Sequence, residues 1–149
     1  MSNQAPVKTD QITLSWQDGL HMQVNTPNFD APILLDADPE VGGQDKGHRP
    51  LQMLLVGLAG CMAMDTVSIL KKKRQEFTHF EITFPEVVQR EDHPHGYTHI
   101  KMHVTAGGPK ISEEALARAL QLSYEKYCPA NAMLRAYAEI EYSYEIVTV

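Results

Sequence analysis

The chain has 149 residues, 43% of them hydrophobic and 21% charged, which suits one folded domain over residues 1–149 and excludes intrinsic disorder. A formal net charge of -6 argues against general binding to nucleic acid or to an anionic membrane surface. Two cysteines, Cys61 and Cys128, are too few for a disulfide framework, so a cytoplasmic chain that keeps its thiols for chemistry or packing is expected.

Residues 1–10 are polar and lack the basic start and apolar stretch of a secretory signal. Residues 11–16 alternate in strand fashion, with Ile12, Leu14 and Trp16 on one face. Asp18-Gly19 signals a hairpin turn into a returning strand over 21–26, which Pro27 and Asn28 break. Ile33, Leu34 and Leu35 form a short third strand. Residues 36–47 hold Pro39, Gly42, Gly43 and Gly47 and read as a loop of the kind found near sites.

Pro50 suits the first position of a helix, where its missing N–H would have no intrahelical partner. This helix is predicted to run to about Gln75 and is apolar on nearly every face until Asp65, so it must be enclosed on all sides. The uncharged run 51–64 is shorter than the roughly 20 residues a membrane span needs, which favours a core helix. Lys71, Lys72, Lys73 and Arg74 complement the negative end of the helix dipole rather than forming a nucleic-acid patch.

Two further strands are predicted over 80–88 and 97–105, joined by a polar turn at 91–96. Ser112 is a good N-cap for a second helix reaching about Tyr127, with Leu116, Ala119, Leu120 and Ser123 on one face. Pro129 opens a short helical turn to about Leu134, and residues 137–147 alternate as a closing strand. Clustered rather than alternating elements indicate an α+β fold with a largely antiparallel sheet. Such a sheet cannot cover an all-apolar helix alone, which implies an obligate homodimer.

Cys61 lies in the apolar stretch Leu58-Ala59-Gly60-Cys61-Met62, where it is either inert packing or a reactive thiol. Gly57 and Gly60 each cost about 1 kcal/mol in a helix interior, so a close contact or an access path is expected there. Asp65 shares the helical face of Cys61 four residues on and needs a partner; unless that partner is a cation, it opposes a thiolate. Cys128 is placed at an N-cap, where unpaired N–H groups favour a thiolate; the alternative is a packed cysteine at a helix junction.

The segment 47–61 (GHRPLQMLLVGLAGC), Asp65, Lys71 to Arg74 and the later Tyr127-Cys128-Pro129 resemble the OsmC/Ohr family of thiol-dependent peroxidases. The resemblance implies an OsmC-like fold: an intertwined homodimer with long central helices enclosed by two sheets. It implies that Cys61 attacks an organic hydroperoxide and that Cys128 resolves the resulting sulfenic acid to a disulfide. An external dithiol then reduces the pair, with no cofactor. Two departures stand out. The family's peroxidases use an arginine from the N-terminal strands, yet no arginine precedes Arg49, and Leu51 occupies the place of the glutamate that holds it. Gln52 is adjacent but uncharged; Arg49 or His48 are the candidate substitutes, although the helix start lies roughly 18 Å from Cys61, so a long side chain reaches it only across the dimer or by folding back.

His93, His95, His99 and His103 match no standard zinc spacing and are expected to be solvated, so no metal site is expected there. Tyr124, Tyr127 and Tyr137 are expected in the core or an interface, or lining a hydrophobic pocket. Two functions follow. One is a cytoplasmic peroxidase acting on small hydrophobic peroxides; the other is an OsmC-fold binder of a small hydrophobic ligand, or a redox sensor.

Overall fold

The computed structural model describes residues 4–6 and 12–149, so Gln11 and most of the polar N-terminal segment lie outside the described residues. The fold is α+β, as expected. Two compact units divide at the step from Leu55 to Val56.

In the first unit, β1 (Thr13–Asp18), β2 (His21–Thr26) and β3 (Phe29–Leu35) form an antiparallel sheet in that order. Gly19 makes the first turn with φ 51°. The Pro27-Asn28 break proves to be a second tight turn, since Thr26 pairs with Phe29. β3 is therefore longer than its apolar triplet suggests. Pro32, which cannot donate to a ladder, sits on this edge strand where the register slips between Val24 and Thr26. Ile12, Leu14 and Trp16 alternate as predicted yet stay exposed, Trp16 to 67%.

The loop after β3 is built around a residue that periodicity does not pick out. Asp36 is buried and its carboxylate accepts from the N–H groups of Ala37 (2.7 Å), Lys46 (3.0 Å) and Gln44 (3.2 Å). Desolvation alone would push its pKa up. The three N–H donors and the nearby His21 outweigh that and hold it below the usual carboxylate value. Gly43 is required here, because a Cβ would come within 1.8 Å of the Ala37 carbonyl oxygen.

Helix α1 (Pro50–Lys72) starts at the predicted proline. Its 23 residues are long and apolar enough to cross a membrane by length and composition, more than the 51–64 run suggests. Its buried residues form a single stripe, Leu58, Met62, Thr66 and Leu70, and the described residues do not enclose it fully. Leu54 (48%), Val56 (57%) and Met64 (75%) remain exposed.

In the second unit, β4 (His79–Gln89) pairs antiparallel with β5 (Tyr97–Gly107), and β5 pairs parallel with β6 (Glu139–Val147). The parallel pair departs from the antiparallel expectation. It is possible because α2 (Glu113–Leu122) and α3 (Pro129–Arg135) supply the long crossover that parallel strands need. Ser112 caps α2 as predicted, its hydroxyl accepting from Ala115 N–H at 3.1 Å. Between α2 and α3 the chain widens into a π-helical turn, Ser123–Tyr127. The core joins Leu70 of α1, Val104 and Ala106 of β5, and Leu116, Ala119 and Leu120 of α2.

Asp36→Ala is expected to lower the melting temperature at pH 7 by about 5 °C or more. The native carboxylate titrates below its unfolded value of about 3.9, so its contribution is present above that pH and lost as pH falls further. Melting curves should therefore converge with wild type in acid. A constant gap down to the lowest pH would contradict the role given to Asp36.

Candidate active site

Helical register puts Cys61 and Asp65 on one face of α1, because residues four apart are neighbours. The π-helical turn supplies the opposite side. It is closed by Cys128 N–H donating to the Ser123 carbonyl at 2.9 Å, the wide spacing that defines a π turn and that often marks functional sites. Ser123 is fully buried and its hydroxyl donates to Asp65 Oδ2 at 2.9 Å. Cys128 follows directly. The Cys61 sulfur, an Asp65 carboxylate oxygen and the Cys128 sulfur all lie within 4.8 Å of one another. Disulfide formation at about 2.05 Å thus needs the sulfurs to close by no more than about 3 Å.

Cys128 is the N-cap of α3, as predicted: its sulfur accepts from Asn131 N–H at 3.3 Å. The thiolate expected of that position does not follow. Burial pushes the Cys128 thiol up to about 11, helped by its hydrogen bond with Cys61 and by the charges of Cys61 and Asp65, and the Asn131 N–H only partly offsets this. Cys128 is the proton-holding member of the pair. The two thiols are free, with Cys128 buried and Cys61 partly accessible.

Asp65 does find a partner, but it is a hydroxyl and not a cation. A carboxylate this close to a thiolate repels its charge. Arg49, one expected source of positive charge, is held by Asp45 and Asp38 and donates to the Gly47 carbonyl at 3.2 Å. Its pKa is raised by that hydrogen bond to Asp45. His48 pairs through its backbone with Leu34 and Asp36, and Gln52 is exposed. Arg49 and His48 are thus both engaged within the first unit.

The close contact expected at Gly57 and Gly60 is not made among the described residues, since a Cβ on either would meet nothing within 4 Å. Of the four histidines, His99 pairs with Glu139 at 3.1 Å and His103 with Ser143 at 2.7 Å and Glu145 at 3.2 Å within the sheet, while His93 and His95 are exposed in the turn between β4 and β5. Tyr124 donates to the Ile140 carbonyl at 2.7 Å and stacks near Tyr142, while Tyr127 and Tyr137 are exposed. Ser123 and Asn131 are the members that sequence reasoning missed. Asn131 was legible as the third residue after a predicted N-cap, and Ser123 as a polar residue on an apolar face.

The OsmC-like protein family model matches residues 43–143. Protein YhfA of Escherichia coli K12 is 36% identical over 137 residues, covering 92% of this chain and 98% of that protein. The crystal structure of a hypothetical protein from Aquifex aeolicus VF5 is 32% identical with a TM-score of 0.80, covering 93% of this chain and 96% of that one. A Legionella pneumophila structure described as an organic hydroperoxide resistance protein OsmC has a TM-score of 0.64 over 90% of this chain and 96% of that one. At 16% identity it shows a shared fold alone.

In Cys61→Ser, Cys128 should react with iodoacetamide at pH 8 at least roughly tenfold more slowly than free cysteine, with the rate still climbing above pH 9. A Cys128 as fast as free cysteine would contradict its buried, protonated state.

Proposed function

Because the chain belongs to the OsmC-like family, we propose that it is a cytoplasmic, homodimeric thiol peroxidase that reduces organic hydroperoxides through Cys61 and Cys128. The observation that carries this reading is the convergence of two sulfurs far apart in sequence to within 4.8 Å. Their difference in accessibility supports a division of roles. Cys61, the more accessible, attacks, and Cys128, which holds its proton under cover, resolves.

The steps balance as follows. The Cys61 thiolate attacks the distal oxygen of ROOH, the O–O bond breaks, and the departing alkoxide takes a proton to leave as ROH. Cys61 is now a sulfenic acid. The Cys128 sulfur displaces its oxygen, which leaves as water, and the Cys61–Cys128 disulfide forms. An external dithiol returns both thiols by exchange and is itself oxidised. Before attack, the S–H of Cys128 stabilises charge on the Cys61 sulfur, in part replacing the missing arginine. Asp65 opposes that charge, which favours a second reading in which the pair senses oxidants by forming its disulfide once, without turnover.

Exposed Leu54, Val56 and Met64 on α1, exposed Leu14 and Trp16 on β1, and the open faces of Gly57 and Gly60 support a second copy as the cover. Its hydrophobic surface also suits an apolar substrate.

A coupled assay with an organic hydroperoxide and a dithiol tests the reaction. Turnover should fall to background in Cys61→Ser. In Cys128→Ser it should fall by roughly tenfold or more, with a dimedone-reactive sulfenic acid at Cys61. Disulfide formation without turnover would favour the sensor, and full activity in Cys61→Ser would sink both readings. Light scattering should give a dimer for wild type and a monomer or aggregate for the double variant Val56→Glu, Met64→Glu. A monodisperse wild-type monomer would remove the dimer.

A further inference from the structure

The site contains a charge problem that thiol chemistry alone leaves unanswered. With both thiols ionised, three negative groups would sit within 4.8 Å of one another, and the hydrogen bonds they receive come from neutral donors, the Ser123 hydroxyl and the Asn131 N–H. That arrangement suits a cation better than an attacking anion. Two thiolates and a carboxylate make a soft donor set, which selects zinc-like metals over magnesium or calcium.

The geometry fits. Bonds of about 2.3 Å to sulfur and about 2.1 Å to oxygen, at tetrahedral angles, space ligand atoms roughly 3.5 to 3.8 Å apart. The three donors reach that spacing from within 4.8 Å with about 1 Å of side-chain rotation. Their outer contacts are those of ligands already aimed: Ser123 holds one oxygen of Asp65 at 2.9 Å and leaves the other free, and Asn131 orients the Cys128 sulfur. Asn131, whose backbone N–H donates to the Cys128 sulfur, has a buried side-chain oxygen with no hydrogen-bond partner among the described residues. Such orphans commonly mark a place where an ion or its bound water completes the set.

We propose that the reduced chain binds one thiophilic divalent cation of the zinc class through Cys61, Asp65 and Cys128, with the fourth position left to water. The inference rests on the reading of the two cysteines as a dithiol that cycles to a disulfide, and adds a resting state to it. Binding displaces both thiol protons and withholds the sulfurs from peroxide. Oxidation by one hydroperoxide then removes two electrons from the sulfur pair, forms the disulfide, consumes two protons to give alcohol and water, and frees the metal. Asp65, an obstacle to a bare thiolate, becomes a ligand.

The test uses full-length protein, reduced and stripped of metal by a chelator. Cobalt(II) should give an intense thiolate-to-metal charge-transfer band with the visible spectrum of a tetrahedral site, and one equivalent of zinc per chain should bleach it. Zinc should slow alkylation of Cys61. The disulfide form should give no band, nor should Cys61→Ser or Cys128→Ser. Asp65→Asn, checked for native circular dichroism, should bind zinc more weakly by roughly tenfold or more. Absence of the band in reduced wild type, or unchanged zinc affinity in Asp65→Asn, would overturn the site. Hydroperoxide turnover by metal-free protein is read separately: turnover without a cobalt band leaves the peroxidase standing, and a cobalt band without turnover leaves the metal site standing.

Discussion

The one carboxylate of α1, Asp65, is the constraint to which the rest of the site answers. Asp65 stands four residues beyond Cys61, so no rotation of the helix can present one without the other. Its carboxylate is tied by Ser123 on the π-helical turn, and that same turn delivers Cys128 to the Cys61 sulfur. The tie that satisfies a half-buried carboxylate and the approach that pairs two thiols are therefore one packing event. A regular α-helical path through Ser123–Tyr127 would rotate the following residues and redirect Cys128.

The proposed peroxide chemistry and the proposed metal site both draw on this convergence, and they make opposite uses of the same anion. As a neighbour of a thiolate, Asp65 repels the charge on the sulfur. As a third donor beside two sulfurs, it completes a soft cage. From the pattern that the sequence resembles, the chain departs at Leu51 and in having no arginine before Arg49.

Much of the fold was legible because it rests on local rules. Pro50 opens α1, Ser112 caps α2, Gly19 turns β1 into β2, and Cys128 caps α3. Elements set by tertiary contacts were less so. The parallel pairing of β5 with β6 depends on where a crossover lands, and β3 extends past its apolar triplet because β2 offers it a partner. The π turn has no signature in residue type. The apolar pattern of α1 implies complete burial, whereas the chain buries only the stripe Leu58, Met62, Thr66 and Leu70. The cysteines as a pair were legible through family resemblance, but not which of them keeps its proton. The N-cap argued for a Cys128 thiolate, and burial decided otherwise.

We propose that Cys61 and Cys128 of one chain form one redox unit. Non-reducing peptide mapping tests it most directly, on protein assembled from equal amounts of isotopically heavy and light chains and exposed to one equivalent of organic hydroperoxide. The account predicts a Cys61–Cys128 cross-link in which both peptides carry the same isotope label. Mixed-label cross-links, or two unlinked cysteines after the peroxide is consumed, would contradict it.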